Sequence, residues 1–330
     1  FFRSRNLDYI SQNLTDLTNQ TPANRIFEAL NTYSEGSEVR YVGGCVRKII
    51  KKQIVDDIDL ATNLKPSEVC DALKKKEINF YETGIDHGTI TAIIDKHKYE
   101  ITSLRKDVST DGRHAKVEFS TDWKEDAARR DFSINSIYSD KDGNLFDPFN
   151  GKKDLESGII NFIGDAENRI KEDYLRILRY VRFFINYSNQ SHNNKIIKII
   201  KKNIGGISKL SSERLLDEFK KLIKSNAFLK IFKDEISLEL IKIIFPQLKN
   251  LENFKKLNSY ALDNLSKIDF IFLLSLMIVD GTDNTDYFIY KFNLSKKDQK
   301  RLRSIDFFYK ENVSIKNFNE KNFNKIFYFN

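Results

Sequence analysis

A chain of 330 residues can bury two or three packed units, and a composition 40% hydrophobic and 31% charged excludes a disordered chain. The longest predominantly apolar run, 270–279, has the length of a buried core helix and falls short of the roughly 18 to 20 residues of a membrane span; the two cysteines, Cys45 and Cys70, exclude a disulfide framework and a zinc quartet and fit a reducing compartment. The net charge of +8 is uneven: residues 1–190 carry 29 basic and 31 acidic side chains and residues 191–330 carry 26 and 16, with a first cluster at Lys195, Lys198, Lys201, Lys202 and Lys209, the right sign for a polyanionic partner.

In chain order, residues 1–23 read as a lead without a secretory h-region. A short helix over 25–30 and a strand over 39–42 follow, and Gly43-Gly44 then forms a strand-to-helix turn before the helical stretch opening at Cys45. With no Cβ at the turn, a triphosphate can approach the backbone N–H groups and the positive helix end, with Arg47 as a mobile charge and Lys48 and Lys51 at the helix start facing phosphate. The next strand, 57–60, carries Asp57 and Asp59 on one face and Ile58 on the other, because side chains alternate. Two converging carboxylates are hard oxygen ligands that suit Mg²⁺ completed by substrate phosphates. Either motif alone is weak; together and in this order they describe a site for a nucleoside triphosphate and its metal ions.

A helix over 66–76 and strands over 89–95 and 99–102 complete the strand-rich part. Residues 105–117, with Asp111-Gly112-Arg113-His114, read as a mobile loop. Residues 129–138 read as a helix or strand beside the site, where Arg130 can clamp phosphate bidentately and Asp131 and Asn135 can hydrogen-bond a ribose hydroxyl. Asp142-Gly143 marks a hairpin before Leu145-Phe146. Strand signals fade after residue 154, placing a boundary in 150–158. From 167 the periodicity is helical, with apolar stripes at Leu175, Leu178, Val181 and Phe184 and at Leu215, Phe219 and Leu222. A spacing of three puts Asp173, Arg176, Arg179 and Arg182 on one helix, in a stripe opposite that first core face: one carboxylate, then three guanidinium groups that make a phosphate rail.

The order of these motifs resembles that of class II tRNA nucleotidyltransferases, the CCA-adding enzymes of the polymerase β superfamily, which also includes bacterial poly(A) polymerases. The resemblance runs through Tyr41-Val42-Gly43-Gly44-Cys45-Val46-Arg47, Asp57-Ile58-Asp59-Leu60-Ala61-Thr62, Thr83-Gly84-Ile85-Asp86-His87-Gly88-Thr89, Asp111-Gly112-Arg113-His114-Ala115, Arg129-Arg130-Asp131-Phe132-Ser133-Ile134-Asn135 and Glu172-Asp173-Tyr174-Leu175-Arg176-Ile177-Leu178-Arg179, and continues faintly at Leu294-Ser295-Lys296-Lys297-Asp298. The chain departs from the family at Lys48, where Asp is usual, and near Lys51-Lys52, where Gly is common.

The resemblance implies an α+β fold: a small mixed-sheet nucleotidyltransferase head over 24–153, a helical neck with the base reader over 154–210, a helical body over 211–290 and the start of a tRNA-binding tail over 291–330. It implies that Asp57 and Asp59 hold Mg²⁺, that Gly43, Gly44, Arg47, Arg130, Asp131, Asn135, Arg179 and Arg182 line the nucleotide, and that Asp173 and Arg176 read its base. A carboxylate accepts from the amine of cytosine or adenine and is repelled by the carbonyl of uracil or guanine. Glu100, on the neighbouring strand, is the candidate third carboxylate. The implied reaction is template-independent addition of C, C and A to the tRNA 3′ end from CTP and ATP, the terminal hydroxyl attacking the α-phosphate and pyrophosphate leaving, with two metal ions assisting. Expected partners are the tRNA 3′ end, CTP and ATP, with no membrane and no DNA; Lys195, Lys198, Lys201 and Lys202 are expected on RNA. The expected compartment is the cytoplasm, or the mitochondrion in a eukaryotic source. Three alternatives stay open: a poly(A) polymerase on the same fold, a CC- or A-adding specialist, and a non-catalytic RNA-binding module, which would predict a broken metal pair. Oligomeric state is left open.

Overall fold

The computed structural model describes residues 9–110 and 115–312, and these divide into two compact units, the first ending at Gly206 and the second beginning at Ile207. The first unit opens with helices α1 (Tyr9–Gln20) and α2 (Ala23–Asn31), strand β1 (Val39–Val42), helix α3 (Gly44–Ile50), strand β2 (Ile58–Thr62) and helix α4 (Pro66–Lys75). Strands β3 (Asn79–Gly84), β4 (Thr89–Ile94), β5 (His97–Ser103), β6 (Arg105–Thr110) and β7 (Ala115–Phe119) follow, then helix α5 (Trp123–Ala128) and strands β8 (Tyr138–Ser139) and β9 (Leu145–Phe146). Four helices end the unit: α6 (Gly151–Ser157), α7 (Ala166–Glu172), α8 (Leu175–Tyr187) and α9 (Asn194–Asn203).

Seven strands form one mixed sheet in the order β3-β4-β5-β2-β1-β8-β9. The β2–β5 pair is parallel, and the other neighbours are antiparallel. Alternation gives this sheet two unlike faces. Tyr41, Leu60, Ile90, Ala92, Tyr99 and Ile101 lie in one buried cluster with residues of α1, α2 and α4, including Leu14, Phe27 and Leu73. Within the stretch expected as a lead, α1 therefore joins the head core, and Thr18 Oγ1 lies 2.9 Å from the Tyr41 hydroxyl across it. The opposite face carries Val42, Ala61 and Tyr138 under α5, and on this side Asp59 and Glu100 stand paired on β2 and β5.

Two departures from the expected elements have local causes. Residues 105–110 and 115–117 are not loop: β6 and β7 pair antiparallel, with Lys106 opposite Glu118 in register and their charges 3.2 Å apart. Charged residues such as Lys106 and Glu118 stand along these strands, and β6 has no apolar alternation to announce the pair. The Asp111-Gly112-Arg113-His114 stretch lies outside the described residues. Strand β3, absent from the expected set, is an edge strand whose pairing to β4 is irregular between Tyr81 and Gly84, with Tyr81 63% exposed.

The second unit is helical among its described residues: α10 (Ser212–Ile223), α11 (Glu235–Ile244), α12 (Ser259–Asp263), α13 (Phe270–Ile278), α14 (Asn284–Phe292) and α15 (Lys296–Asn312). Caps start several of these helices, as with Asp234, whose carboxylate accepts from Ser237 N at 2.7 Å. Its core is aromatic: Phe219 meets Phe245 at 4.5 Å between ring centroids, Phe228 meets Phe254 at 4.8 Å and Phe288 meets Phe292 at 4.3 Å. The apolar run 270–279 forms α13, which buries Leu273, Leu274, Met277 and Ile278. Among the described residues no helix is long and apolar enough to cross a membrane.

Candidate active site

The carboxylates sit where two parallel strands run side by side. Asp59 on β2 is directly in register with Glu100 on β5, and Asp57 immediately precedes β2, two residues from Asp59 and so on the same face. Asp57 and Glu100 are exposed and Asp59 is half-buried. Burial, then Glu100, then Asp57 push the Asp59 carboxyl up, while Arg130 and Arg47 pull it back. Acidic repulsion is thus concentrated at one point, which a cation would relieve. Among the described residues no group of three or more His, Cys, Asp or Glu side chains is arranged to hold a metal ion. Two hard carboxylates needing oxygen from a substrate to complete the shell fit Mg²⁺, and a closed structural metal site does not.

Gly43 lies beside this face with φ +65°, a conformation L side chains rarely adopt, and a Cβ there would stand 3.8 Å from Arg130 Nη1. A Cβ on Gly44 would stand 3.8 Å from Asp59 Oδ2. The pair therefore keeps open the space between the acidic strand and the arginines. Helix α3 is short, so Lys48 falls in its last turn and Lys51 at its C-cap. That corrects their expected place at the helix start. Both suit the negative end of the helix, and Lys48 Nζ bonds the Asp56 carboxylate. Cys45 donates its thiol to Val42 O at 3.4 Å, and burial pushes that thiol up to about 11, so it is inert.

Residues 129–137 are neither a regular helix nor a strand; a 3₁₀ turn, Ser133–Asn135, lies between α5 and β8, which begins at Tyr138. Asp126, 1% exposed, organises it. Its carboxylate pairs with Arg129 at 2.7 Å and Arg130 at 3.1 Å and accepts from the Tyr138 hydroxyl at 2.6 Å. Arg130 Nε also donates to Tyr138 Oη at 2.9 Å. Burial alone would raise the Asp126 carboxyl, but the two guanidinium groups hold it well below the usual range.

Asp131 and Asn135 are each engaged by protein partners. Asp131 Oδ1 accepts from Phe132 N at 2.9 Å and from Asn135 Nδ2 at 2.8 Å, and its Oδ2 accepts from Arg179 Nε at 2.6 Å. Asn135 Oδ1 accepts from Arg47 Nη1. Both side chains are buried. Within the protein these residues tie Arg47 of α3 to Arg179 of α8.

The stripe of charges is also rearranged. Asp173 is not on one helix with the arginines. Helix α7 ends at Glu172, and Asp173 lies in the break before α8, where its carboxylate accepts from Leu175 N at 3.1 Å and its carbonyl from Arg176 N at 3.0 Å. Arg176, Arg179 and Arg182 follow along α8, each partly buried. Arg176 Nη1 donates to Glu172 Oε2 at 2.7 Å and to Arg169 O at 2.6 Å.

Arg169 is the residue that motif reading missed. Its guanidinium pairs with Glu172 at 2.6 Å, donates to the Arg130 carbonyl at 2.6 Å and also bonds the Arg129 carbonyl. One side chain of α7 thus joins the Arg129-Arg130 turn to the Asp173/Arg176 break. Its distant acceptors are main-chain oxygens, which leave no trace in a side-chain pattern.

The lysines of α9 lie on its exposed side at 195, 198, 201 and 202, opposite buried Ile196, Ile197 and Ile200. Lys202 Nζ reaches Glu167 Oε1 at 2.8 Å, an acceptor it shares with Lys171.

The Asp126 and Asp131 networks give a stability prediction. Burial opposes both charges, but Arg130 and Arg129 hold the Asp126 carboxyl, and Arg179 the Asp131 carboxyl, below the usual range. A carboxyl lowered in the folded state stabilises the fold above its unfolded pKa, about 3.9, and that stability is lost as pH falls toward the folded value. The melting temperature is expected to fall progressively below about pH 4, and Asp131→Asn, already uncharged, to show a shallower acid slope. Equal slopes in the two proteins, followed by circular dichroism, would contradict this.

Residues 39–161 match the model of the "Poly A polymerase head domain", and residues 193–252 that of the "Probable RNA and SrmB- binding site of polymerase A". The chain is 37% identical over 282 residues to the mitochondrial CCA tRNA nucleotidyltransferase 1 of Homo sapiens, covering 84% of this chain and 63% of that protein. It is 35% identical over 240 residues to a CCA-adding enzyme of Staphylococcus haemolyticus, covering 72% and 58%. The chain thus spans less than two thirds of the length of either relative. Its fold is similar to that of the Bacillus stearothermophilus CCA-adding enzyme crystallised with CTP, at a TM-score of 0.72 and 24% identity over 92% of this chain and 73% of that one. With the head model matched from β1 through α6 and the second model beginning at α9, the chain belongs to the tRNA nucleotidyltransferase/poly(A) polymerase family.

Proposed function

We propose that the protein is a nucleotidyltransferase that adds C, C and A to the 3′ end of tRNA from CTP and ATP, releasing pyrophosphate. The observation that carries this reading is the meeting of an acidic strand face, Asp57, Asp59 and Glu100, with Arg130 and Arg47 close enough to act on the Asp59 charge. In this reading Gly43 and Gly44 leave room for the triphosphate, and Arg47, Arg130, Arg179 and Arg182 neutralise it, the planar guanidinium groups matching phosphate oxygens in pairs. Asp173 and Arg176 orient the base. Asp131 and Asn135 act indirectly by fixing Arg179 and Arg47. Asp57 and Asp59 would hold Mg²⁺, which when bound would stabilise the charge developing on the phosphate. The α9 lysines and the basic second unit track the tRNA backbone, and the cytoplasm or mitochondrion is the compartment.

The test is incubation with tRNAs ending before CCA, after C and after CC, each nucleotide being supplied separately. CTP should extend the first two and ATP only the third, once. Long A tails on any substrate would favour a poly(A) polymerase, and C addition without the final A a CC-adding specialist.

The same reading predicts that tRNA binding weakens steeply with salt while the KM for CTP responds less. Reversing Lys198, Lys201 and Lys202 to Glu should lower tRNA affinity at low salt by at least about 10-fold, since several phosphate contacts change sign. Loss of the exposed Lys202–Glu167 pair contributes little beside this. Unchanged affinity in a filter-binding titration would show these lysines to be solvated only.

A further inference from the structure

Three guanidinium groups converge on one aromatic ring. The Cζ atoms of Arg182, Arg47 and Arg179 lie 4.2, 5.0 and 5.3 Å from the Phe183 ring centroid. Phe183 is 2% exposed and is held from behind by Phe132, edge-on at 5.4 Å, and by Tyr187, stacked at 6.1 Å. Arg47 also lies 5.1 Å from the Tyr187 ring. The arginines come from different places: Arg47 from α3, after the glycine turn, and Arg179 and Arg182 from α8. Like charges gathered this way repel one another, so their spacing has to be held. Two devices hold it. The Asp131–Asn135 bond links Arg179 to Arg47 at their polar ends. The electron-rich faces of Phe183 attract all three cations at once, most strongly where water is excluded.

We propose that Phe183 is a positioning residue for the nucleotide triphosphate, setting the spacing of Arg47, Arg179 and Arg182 through the quadrupole of its ring. This rests on the nucleotide-binding reading above. The ring touches no substrate; it lowers the cost of preorganising three charges before the anion arrives. A residue with that task differs from an ordinary core phenylalanine in what it responds to: its effect follows the electron density of the ring, whereas packing follows volume and shape.

The experiment installs 4-fluoro- and 3,4,5-trifluorophenylalanine at position 183 alone and measures CTP binding by calorimetry, KM and kcat for transfer, and melting temperature. Fluorine withdraws density from the ring face with little change in shape. Affinity for CTP is expected to fall and KM to rise stepwise with fluorine count, reaching about 5- to 30-fold in the trifluoro protein, the loss of one strong contact of this kind. The melting temperature should stay constant and kcat change less than KM. Phe183→Leu should give a comparable or larger KM increase, but the fluorinated series carries the conclusion because it preserves packing. CTP binding that ignores fluorine count at constant melting temperature overturns the role of Phe183 and leaves the nucleotide reading standing. Absence of CTP binding by the unsubstituted protein overturns both.

Discussion

Asp57→Ala and Asp59→Ala are each expected to reduce nucleotide transfer by at least about 10²-fold, the usual consequence of removing a group that stabilises developing charge. Folding should survive both changes. Asp57 is exposed, so its truncation empties no core. Asp59 is half-buried with its carboxyl pushed up by burial and by Glu100 and Asp57, so neutralising it relieves repulsion in the resting protein and should leave the melting temperature unchanged or slightly higher. This opposite movement of activity and stability marks a group kept for chemistry at some expense to the fold. The assay is single-nucleotide extension of a tRNA lacking CCA, with melting followed in parallel. Turnover above about a hundredth of wild type in both variants would remove these carboxylates from the reaction.

That acidic pair was legible because its logic is local. Side-chain alternation over three residues puts Asp57 and Asp59 on one face whatever the tertiary structure does, and a glycine pair with one member at φ +65° leaves its mark as Gly43-Gly44. The pairing of Asp59 with Glu100 needed only the assumption that their strands are neighbours, and β2 and β5 are. Contacts that depend on where main-chain oxygens end up were not legible. Arg169 reaches carbonyls about 40 residues away, and its own neighbourhood, Asn168-Arg169-Ile170, looks like any charged helix surface. Asp131 and Asn135 differ again: their residue types suit a sugar hydroxyl and an internal arginine equally, and no local pattern announces that they are buried against Arg179 and Arg47. The spacing of three from Asp173 to Arg182 fits one continuous helix, and it fits a break before Leu175 just as well, because a capping aspartate occupies the same position in sequence.

The place of Asp173 in that break shapes the last expected result. As the base reader, its carboxylate accepts from the amine of cytosine or adenine, and Asp173→Ala should lose discrimination against UTP and GTP more than it loses phosphate affinity, which rests on Arg47, Arg130, Arg179 and Arg182. A bidentate base contact is worth about 1 to 3 kcal/mol of discrimination, so preference for C over U should fall by about 5- to 150-fold. The same carboxylate caps α8 through Leu175 N at 3.1 Å, and removing a cap costs about 0.5 to 2 kcal/mol of stability on its own. Alanine therefore alters two things, and Asp173→Asn separates them. Asparagine keeps one oxygen for the cap and replaces the other with an amide that donates, so the helix start is retained while the edge offered to the base changes sign. If Asp173 reads the base, the asparagine variant should keep the wild-type melting temperature and shift toward UTP, whose carbonyl now meets a donor. If Asp173 only starts the helix, asparagine should behave as wild type and alanine should lower CTP and UTP incorporation in parallel, by moving Arg176, Arg179 and Arg182 together.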